Sequence, residues 1–568
     1  MRDIILVRHG VPETEGKLFL GTTDPPLSEE GKRQARRLSA EYGDKEIRCI
    51  ITSPLLRCRQ TADILSGGRI PVVVEPALHE ISMGAWDGKS FDSIREQFPE
   101  EFRMRGEDIA DYAVPCGESF RQCQERVTEA FLRIRREYDG NLVLVTHAGV
   151  IRCIRSFLEH RDLSRLLELP VPYGEAFRTE DEVCDGLITA AGRSSRMGDF
   201  KPLMEVEGRK VILRILDRFR EAGVRHTAVV TGRNADELES VIREEWTEEQ
   251  VSFVRNADYM DTQMFDSIRM GLMALLAGYG KKMDVPGGVF LAPVDVPGFT
   301  VFTMDLEKEC LKDPAVRAVV PRYRGADGHP ILLRQAAVSE VLAHDGTRGL
   351  KGALQKMGEG LRGTDTPDAG CAMDTDTPED MDRVMKALSN RYIFQKDSCT
   401  ELFECCKIKQ EIRDHCAAVS LLAGEMGEAC RKAGIPVDRD ILMEAAALHD
   451  IGKCRANRSH AEYGAWMLGR LGLGRLCGPV RFHTDLPRSM QEHLCESTLV
   501  YLADKLVLGT ERVSPEERFG PKFRKFAADP DALAAVKRRY DSARRAADTL
   551  LLGAGDFLPI EIRNLLEQ

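Results

Sequence analysis

GLITAAGRSSRMGDFKPL, residues 186–203, is the stretch on which the organisation of this 568-residue chain turns. An apolar run through Leu187 and Ile188 ends in Ala190, Ala191 and Gly192, and a small basic loop comes next, closing on Lys201 and Pro202. A strand feeding such a loop presents backbone N–H groups, the Arg196 guanidinium and the Lys201 ammonium to a polyphosphate. The same residues would serve an ordinary strand-to-helix turn, and the residues downstream separate the two readings. Helical spacing over residues 211–223, a strand at 227–231 and a helix at 234–245 come first. A strand at 251–254, a helix at 263–276 and a strand at 289–292 then lead to Pro293-Val294-Asp295. That alternation predicts a mostly parallel, three-layer sheet.

The chain is too long for one core, and its length predicts three or four domains. Its hydrophobic share of 43% and charged share of 30% are ordinary for globular protein. A net charge of −11 argues against a general nucleic-acid surface. Sixteen cysteines without a CxxC spacing fit reduced thiols better than a disulfide framework or zinc ribbon. The opening MRDIILVRHG has no secretory pattern, and no apolar run is long enough to span a bilayer. A cytoplasmic protein with no membrane and no nucleic-acid partner is expected; nothing in the sequence specifies an oligomeric state.

Upstream of the central segment, a strand at 4–7 ends in Arg8-His9-Gly10, and Ser28 opens a helical pattern stopped by Gly43. A strand at 49–52 leads to Ser53-Pro54, predicted to cap a helix carrying Arg57 and Arg59. A strand at 142–146 delivers His147-Ala148-Gly149. Two histidines and an arginine at the C-terminal edge of one parallel sheet predict a phosphate site. The blocks LVRHG (6–10), GTTDPPLSEEGKRQA (21–35), SPLLRCRQTA (53–62), LHEISMGAWDG (78–88) and VTHAGVIR (145–152) resemble the histidine phosphatase, or phosphoglycerate mutase-like, superfamily. The resemblance implies that His9 attacks phosphorus as a neutral imidazole, giving a phosphohistidine. It implies that Arg8, Arg57 and His147 bind the phosphoryl oxygens, and that Glu80 protonates the leaving group and then activates water. No metal is required. Arg59 is read as an exposed helix-face residue. Val11-Pro12 departs from the usual Glu-Thr, and residues 170–177 are read as what remains of the last strand. The block pattern is nearer to α-ribazole phosphatases than to glycolytic mutases.

The central segment is similar to the nucleotidyltransferase family that includes molybdenum cofactor cytidylyltransferase and its guanylyl relative. The residues that carry this are 187–201, NADYMDTQMFDSIRMGL (256–272), LAPVDVP (291–297), Gly328-His329-Pro330 and MDTDTPED (373–380). The resemblance implies attack of a phosphorylated acceptor on the α-phosphorus of an NTP, expelling pyrophosphate. Ala190, Ala191, Gly192, Arg196, Lys201, Asn256 and Ser267 would bind the nucleotide, and Asp295 would hold Mg2+. Asp376 is either a second metal contact or part of a solvated helix start. The Ala-Ala-Gly turn and the Gly-His-Pro turn lean towards CTP.

After residue 390 strand signals vanish, and helices are expected over 412–433, 439–449, 460–471, 496–508 and 532–551. His449-Asp450-Ile451-Gly452-Lys453, with His415 before it and His460, His483 and Asp504 after it, resembles the HD phosphohydrolase superfamily. That implies one divalent transition metal such as Mn2+, Fe2+ or Zn2+ on His415, His449, Asp450 and Asp504. His460 and His483 would hold a second metal or touch phosphate, and Lys453 would contact phosphate. Cys399, Cys405 and Cys406 lack metal spacing and are read as structural.

The expected architecture is therefore two α/β domains, a histidine phosphatase fold (1–180) and a Rossmann-like nucleotidyltransferase fold (185–390), followed by an all-α HD domain (395–568). The leading reading is a trifunctional enzyme transferring a cytidylyl group to a molybdopterin-type phosphomonoester, its flanking hydrolases trimming or recycling intermediates. Cobalamin nucleotide-loop assembly, sugar-phosphate activation and a non-catalytic nucleotide sensor are the alternatives. Three complete reactive sets oppose the sensor.

Overall fold

The structure is a computed structural model that describes residues 2–14, 18–42, 46–138, 140–181, 183–192, 199–279, 286–389, 396–456 and 458–568. The first sheet has the order β3-β2-β4-β1-β5, with β1 Arg2–Arg8, β2 Ile47–Thr52, β3 Val72–Val74, β4 Asn141–Thr146 and β5 Ala176–Asp181. The first four are parallel and β5 runs antiparallel to β1, so residues 170–175 pass beside the C-terminal end of β1. Ile4, Ile5, Leu6 and Val7 are all fully buried, the continuous apolar run expected of a strand covered on both faces. Register pairs Arg8 with Thr146, and this alone brings His9 and His147 to adjacent strand ends. Ser28 does cap its helix, Glu29–Tyr42, through Gly31 N–H at 3.1 Å; the predicted stop at Gly43 lies outside the described residues.

Ser53 does not cap the next helix. That helix, Leu56–Ser66, starts three residues later, and its first N–H, from Leu56, is bound by both Asp24 oxygens at 2.7 and 2.8 Å. A carboxylate supplied from the 21–24 loop complements the helix N-terminus. It leaves the Ser53 hydroxyl for His147.

The second sheet has eight strands. They are β6 Cys184–Ala190, β9 Val224–Thr231, β10 Val251–Arg255, β11 Gly288–Pro293, β12 Ala318–Tyr323, β13 Ala326–Asp327, β14 Ile331–Arg334 and β15 Leu361–Asp365, while β7 Glu205–Val206 and β8 Arg209–Lys210 pair as a separate two-stranded hairpin. The order is β10-β9-β6-β11-β14-β12-β13, with β15 on β12. β10, β9, β6 and β11 are mutually parallel, whereas β14 and β13 are antiparallel insertions. The chain moves outward from β6 in one direction through β9 and β10 and then returns to its other side at β11. The crevice beyond β6 and β11 is thus the switch point at which α/β sheets bind ligands.

Among the described residues the third region is helical apart from a two-residue ladder, Val507–Leu508 on Glu511–Arg512. Its core packs Gln410–Lys432, Arg439–Leu448, His460–Arg470, Gly474–Phe482 and Glu496–Lys505 around Leu442, Leu448, Val480, Leu499 and Leu502. Helix ends are well capped: Asp438 receives Asp440 and Ile441 N–H, and Ser514 forms a capping box with Glu517. The regions touch through polar and aromatic contacts. Arg470 grips Asp305 at 2.6 and 2.8 Å, Arg488 reaches Glu107 at 2.6 Å, and the His160 ring lies tilted against Trp466, centroids 4.4 Å apart. All sixteen cysteines are free thiols, and no helix among the described residues is long and apolar enough to cross a membrane.

Candidate active sites

At the first site the sheet register places His9 and His147 with ring centroids 5.1 Å apart, both buried. His9 Nδ1 donates to the Gly10 carbonyl at 2.7 Å, and Arg57 Nε donates to His9 Nε2 at 3.3 Å. Because a guanidinium can only donate, Nε2 carries the lone pair. Burial, reinforced by the Arg57 charge, holds the His9 pKa well below its ordinary value, so the ring is neutral. His147 is depressed likewise, by burial and then by His9; its Nε2 meets Ser53 Oγ at 2.8 Å and Cys58 Sγ at 3.4 Å. Arg57, 1% exposed, is locked by the Thr23 and Gly21 carbonyls at 2.8 and 3.1 Å. That loop is in turn held by Asp87, which accepts from Gly21, Thr22 and Thr23 N–H at 2.7 to 2.9 Å.

Arg8 lies over the Tyr173 ring, its guanidinium carbon 3.4 Å from the centroid, and bonds the Val171 carbonyl, while its buried Nε has no protein partner. Glu80 accepts from Ile81 N–H at 3.0 Å and Gly149 N–H at 3.3 Å. Desolvation by the surrounding walls outweighs these bonds and pushes its pKa up, which suits a proton donor. A Cβ on Gly149 would lie 2.5 Å from the Glu80 carboxylate, so only glycine fits there. The five residues singled out from the sequence, Arg8, His9, Arg57, Glu80 and His147, thus surround one point; Arg59 is exposed. Ser53, Cys58, Tyr173 and Asp87 were not assigned, although each lies in or beside a stretch singled out from the sequence.

The second site is the crevice beyond β6 and β11. A cavity of about 380 Å3 is lined by Ala190, Ala191, Gly192, Lys201, Asn256 and Ser267 together with Asp295 and Asp376. Lys201 Nζ stands 2.8 Å from Asp376 Oδ1 and 3.2 Å from Asp295 Oδ1. Burial raises the Asp295 pKa despite Lys201, as expected of a carboxylate shaped to receive a cation. Asn256 comes directly after β10 and is oriented by Thr262 and Ser267, at 2.8 and 3.2 Å from its amide nitrogen. Arg196 lies outside the described residues. Sharing the walls Thr189, Gln263 and Met264, a second cavity of about 580 Å3 opens alongside. Its floor is Leu187, Phe265, Ile268 and Leu291, and it carries Arg322, Arg348 and Lys351. Half-buried His329 also lines it; desolvation pushes its pKa down to about 4.

The third site gathers all six predicted residues. His415, His449 and Asp450 form one group able to hold a metal ion, and Asp450, His460 and His483 form another, so Asp450 is shared. Asp504 Oδ1 stands 3.2 Å from His415 Nε2 and 3.7 Å from His449 Nε2, which joins it to the first group. Asp450 Oδ1 lies 3.4 and 3.6 Å from the Nε2 atoms of His460 and His483. His415, His449 and His483 each use Nδ1 on a backbone carbonyl, Gly509, Ala446 and Val480, at 2.9, 2.7 and 2.6 Å. That fixes the tautomer with Nε2 free for a metal. Buried His449 Nε2 has no hydrogen-bond partner, an orphaned lone pair that a divalent ion would satisfy. Burial pushes the His449 and His460 pKa values down to about 4, keeping both neutral and able to ligate. Lys453 is ion-paired to Asp450, and Lys505 binds Asp504 at 2.6 Å and the His483 carbonyl at 2.7 Å. A Cβ on Gly452 would lie 1.9 Å from the His460 carbonyl, so the glycine lets that helix start against the His-Asp turn.

Comparison with known proteins matches residues 4–180 to the histidine phosphatase superfamily (branch 1), 186–361 to the MobA-like NTP transferase domain and 412–508 to the HD domain. Phosphoserine phosphatase 1 of Hydrogenobacter thermophilus is 33% identical over 169 residues, 29% of this chain and 80% of that protein. The 6-phosphofructo-2-kinase/fructose-2,6-bisphosphatase 4 of Rattus norvegicus is 30% identical over 173 residues, 30% of this chain and 36% of its own length. The chain thus spans about a third of that bifunctional relative. Among solved structures, Bacillus stearothermophilus YhfR is 32% identical, covering 31% of this chain and 90% of its own, with a TM-score of 0.30. The α-ribazole phosphatase of Shigella flexneri is 25% identical, covering 31% and 89%, with a TM-score of 0.29.

Proposed function

The chain belongs to the histidine phosphatase superfamily and joins that domain to a MobA-like NTP transferase domain and an HD domain, and from this premise we propose a three-site enzyme whose central reaction is nucleotidyl transfer. A phosphate oxygen of the acceptor bonds to the α-phosphorus of an NTP as the bond to the β-phosphate breaks, and pyrophosphate carries the electron pair away. The acceptor phosphate is already an anion, so no base is needed, and positioning with charge neutralisation supplies the rate. Lys201 binds the triphosphate, Asn256 and Ser267 orient the nucleoside, and the small turn Ala190-Ala191-Gly192 favours CTP. Asp295 and Asp376 offer hard oxygen ligands that suit Mg2+, which would neutralise phosphate charge when bound.

The observation that carries this reading is the pairing of two cavities across Thr189, Gln263 and Met264. One holds Lys201 and two aspartates; the other combines an apolar floor with Arg322, Arg348 and Lys351. The second suits an acceptor with a flat ring system, whose faces pack on the apolar floor, and a phosphomonoester, the chemistry of a molybdopterin. At the first domain His9 Nε2 bonds to phosphorus while Glu80 gives its proton to the departing alkoxide; water, deprotonated by Glu80, then releases phosphate. The HD site fits a divalent transition metal on His415, His449, Asp450 and Asp504, which would supply an activated water for phosphoester hydrolysis. His460 and His483 complete a second group around Asp450, and Lys453 contacts phosphate.

Incubating the full chain with each NTP, Mg2+ and molybdopterin, and following the nucleotide adduct by mass, tests the central claim. CTP-dependent adduct is expected. GTP use by the transferase together with phosphatase activity on α-ribazole phosphate, and no adduct from CTP on molybdopterin, would transfer the chain to cobalamin nucleotide-loop assembly.

A further inference from the structure

Beyond residues 412–508, which match the HD domain, the helix Pro515–Lys525 lies against the third site. Phe519 is buried in a cluster with Phe482 and Tyr501, the residue before His483 and the residue three before Asp504. This seats the neighbouring Arg518 beside the carboxylates: its Nη2 stands 3.9 Å from Asp504 Oδ1. That is too long for a hydrogen bond, and the buried Nε has no partner at all. An arginine present only to neutralise Asp504 would close on it, as Lys505 does at 2.6 Å. Lys522, one turn further on, is exposed, with its ammonium 5.2 Å from the Phe519 ring; after burial, Arg518 and Lys505 are the neighbours that most lower its pKa. On the opposite side, Lys453 flanks Asp450. Two carboxylates therefore face four cationic side chains, and a divalent ion raises that excess further.

We propose that Arg518, backed by Lys522, is a substrate-binding residue of the HD site that receives the phosphate remote from the metal, so that the site selects phosphoanhydrides over simple phosphomonoesters. The planar fork of a guanidinium whose buried Nε has no partner suits a terminal phosphate. The proposal rests on the hydrolase reading of this domain. Water forms the new bond to one phosphorus, the bridging P–O bond breaks, and the second phosphate leaves with the electron pair against Arg518. The proton of the water passes to that phosphate or to solvent, and no co-reactant is needed. Two sources supply such a substrate: free pyrophosphate, the leaving group of the central reaction, and the polyphosphate of a nucleotide.

The test uses full-length, Mn2+-loaded protein carrying His9→Ala and Lys201→Ala, which silence the other phosphate sites. Arg518→Gln should raise KM for pyrophosphate or nucleoside triphosphate at least about 30-fold. Turnover of p-nitrophenyl phosphate should stay within about 2-fold, and bound manganese, read by elemental analysis, should be unchanged. Arg518→Lys should recover part of the loss, and Lys522→Gln should cost a few-fold. The ratio of kcat/KM for pyrophosphate and nucleotide identifies the source. An unchanged pyrophosphate KM, or equal losses on anhydride and monoester, overturns the proposal. Should the parent protein hydrolyse neither substrate, the hydrolase reading fails by itself. Equilibrium dialysis of pyrophosphate, with Asp450→Ala as reference, then decides the role of Arg518: weaker binding by Arg518→Gln supports it and equal binding refutes it.

Discussion

The phosphatase site and the HD site are both built on histidines, and they use the same local device to opposite ends. In each, a backbone carbonyl takes Nδ1 (Gly10 for His9; Gly509, Ala446 and Val480 for His415, His449 and His483), leaving Nε2 as the working atom. What faces Nε2 differs. His9 meets the Arg57 guanidinium, and the pocket around it holds Arg8 as well. The HD histidines meet Asp450 and Asp504. Cations around a neutral imidazole invite an anion, here the phosphoryl group that it attacks. Carboxylates around the same imidazole invite a cation, here a divalent metal. The neighbours, more than the histidine, set the chemistry.

The largest expected effects cross the two sites. His9→Ala should lower phosphatase turnover by at least about 10^3-fold, since the covalent route is lost. A strong chelator should leave that activity unchanged. The same chelator, or Asp450→Ala, should abolish HD hydrolysis by a comparable factor while His9→Ala spares it. Phosphatase loss on chelation, measured on the intact chain, would break the contrast outright.

That contrast is largely legible in the sequence. His9, His147 and Asp450 come just after apolar stretches (4–7, 142–145 and 445–448), so the pattern itself places them at element ends. The partners that tune them are not legible in the same way. Ser53 reads as a helix cap after a strand, but Asp24 reaches back from a separate loop to take that role, and tertiary contact frees the hydroxyl for His147. Tyr173 under Arg8, and Asp87 beneath the loop that locks Arg57, act across long separations that periodicity does not register. The ambiguous acidic run at 374–380 resolves in part: Asp376 sits against Lys201, whereas Asp380 accepts from Thr377 within its own helix start. Arg518 stands on a charged helix that announces nothing, because its position depends on where Phe519 packs.

The transferase site lies between these extremes, since Lys201 touches two carboxylates yet is offered to phosphate. Lys201→Ala should reduce nucleotide adduct formation by about 10^2 to 10^3-fold. It should also alter the Mg2+ dependence, because Asp295 and Asp376 lose the ammonium between them. An unchanged Mg2+ dependence would show that Lys201 does not compete with a metal for the two aspartates.

A smaller effect sharpens the phosphatase side. In Gly149→Ala the new methyl would lie 2.5 Å from the Glu80 carboxylate, which must move or lose its bond from the residue-149 N–H. Phosphatase kcat should fall about 10-fold, with a stability cost of about 1–3 kcal/mol. HD activity should be unaffected. Equal losses at both sites would mean global unfolding rather than a displaced acid.

The smallest effect is in pH, and its sign differs between the two sites. Burial and Arg57 keep His9 neutral well below pH 6.5, so acidification through that value does not remove the nucleophile. The Glu80 pKa is raised by desolvation, so the protonated acid is more populated as pH falls. Phosphatase kcat/KM should therefore be flat or rise a few-fold from about pH 8 to about pH 5.5, whereas an ordinary histidine nucleophile would lose half its activity at about 6.5. HD activity should fall over the same range, because Asp504, against desolvation by burial, raises the His415 pKa and protons compete with metal for that imidazole, whereas His449 and His460 stay neutral. Stability moves against the phosphatase gain. The unfolded chain protonates His9 and His147 near 6.5 while the folded one does not, so unfolding becomes easier as pH drops below that value. Arg57→Gln removes the cation beside His9 and raises its pKa. Any acid limb should then move to higher pH while burial still holds it below the ordinary histidine value, and a profile unchanged by that substitution would show that burial alone keeps His9 neutral.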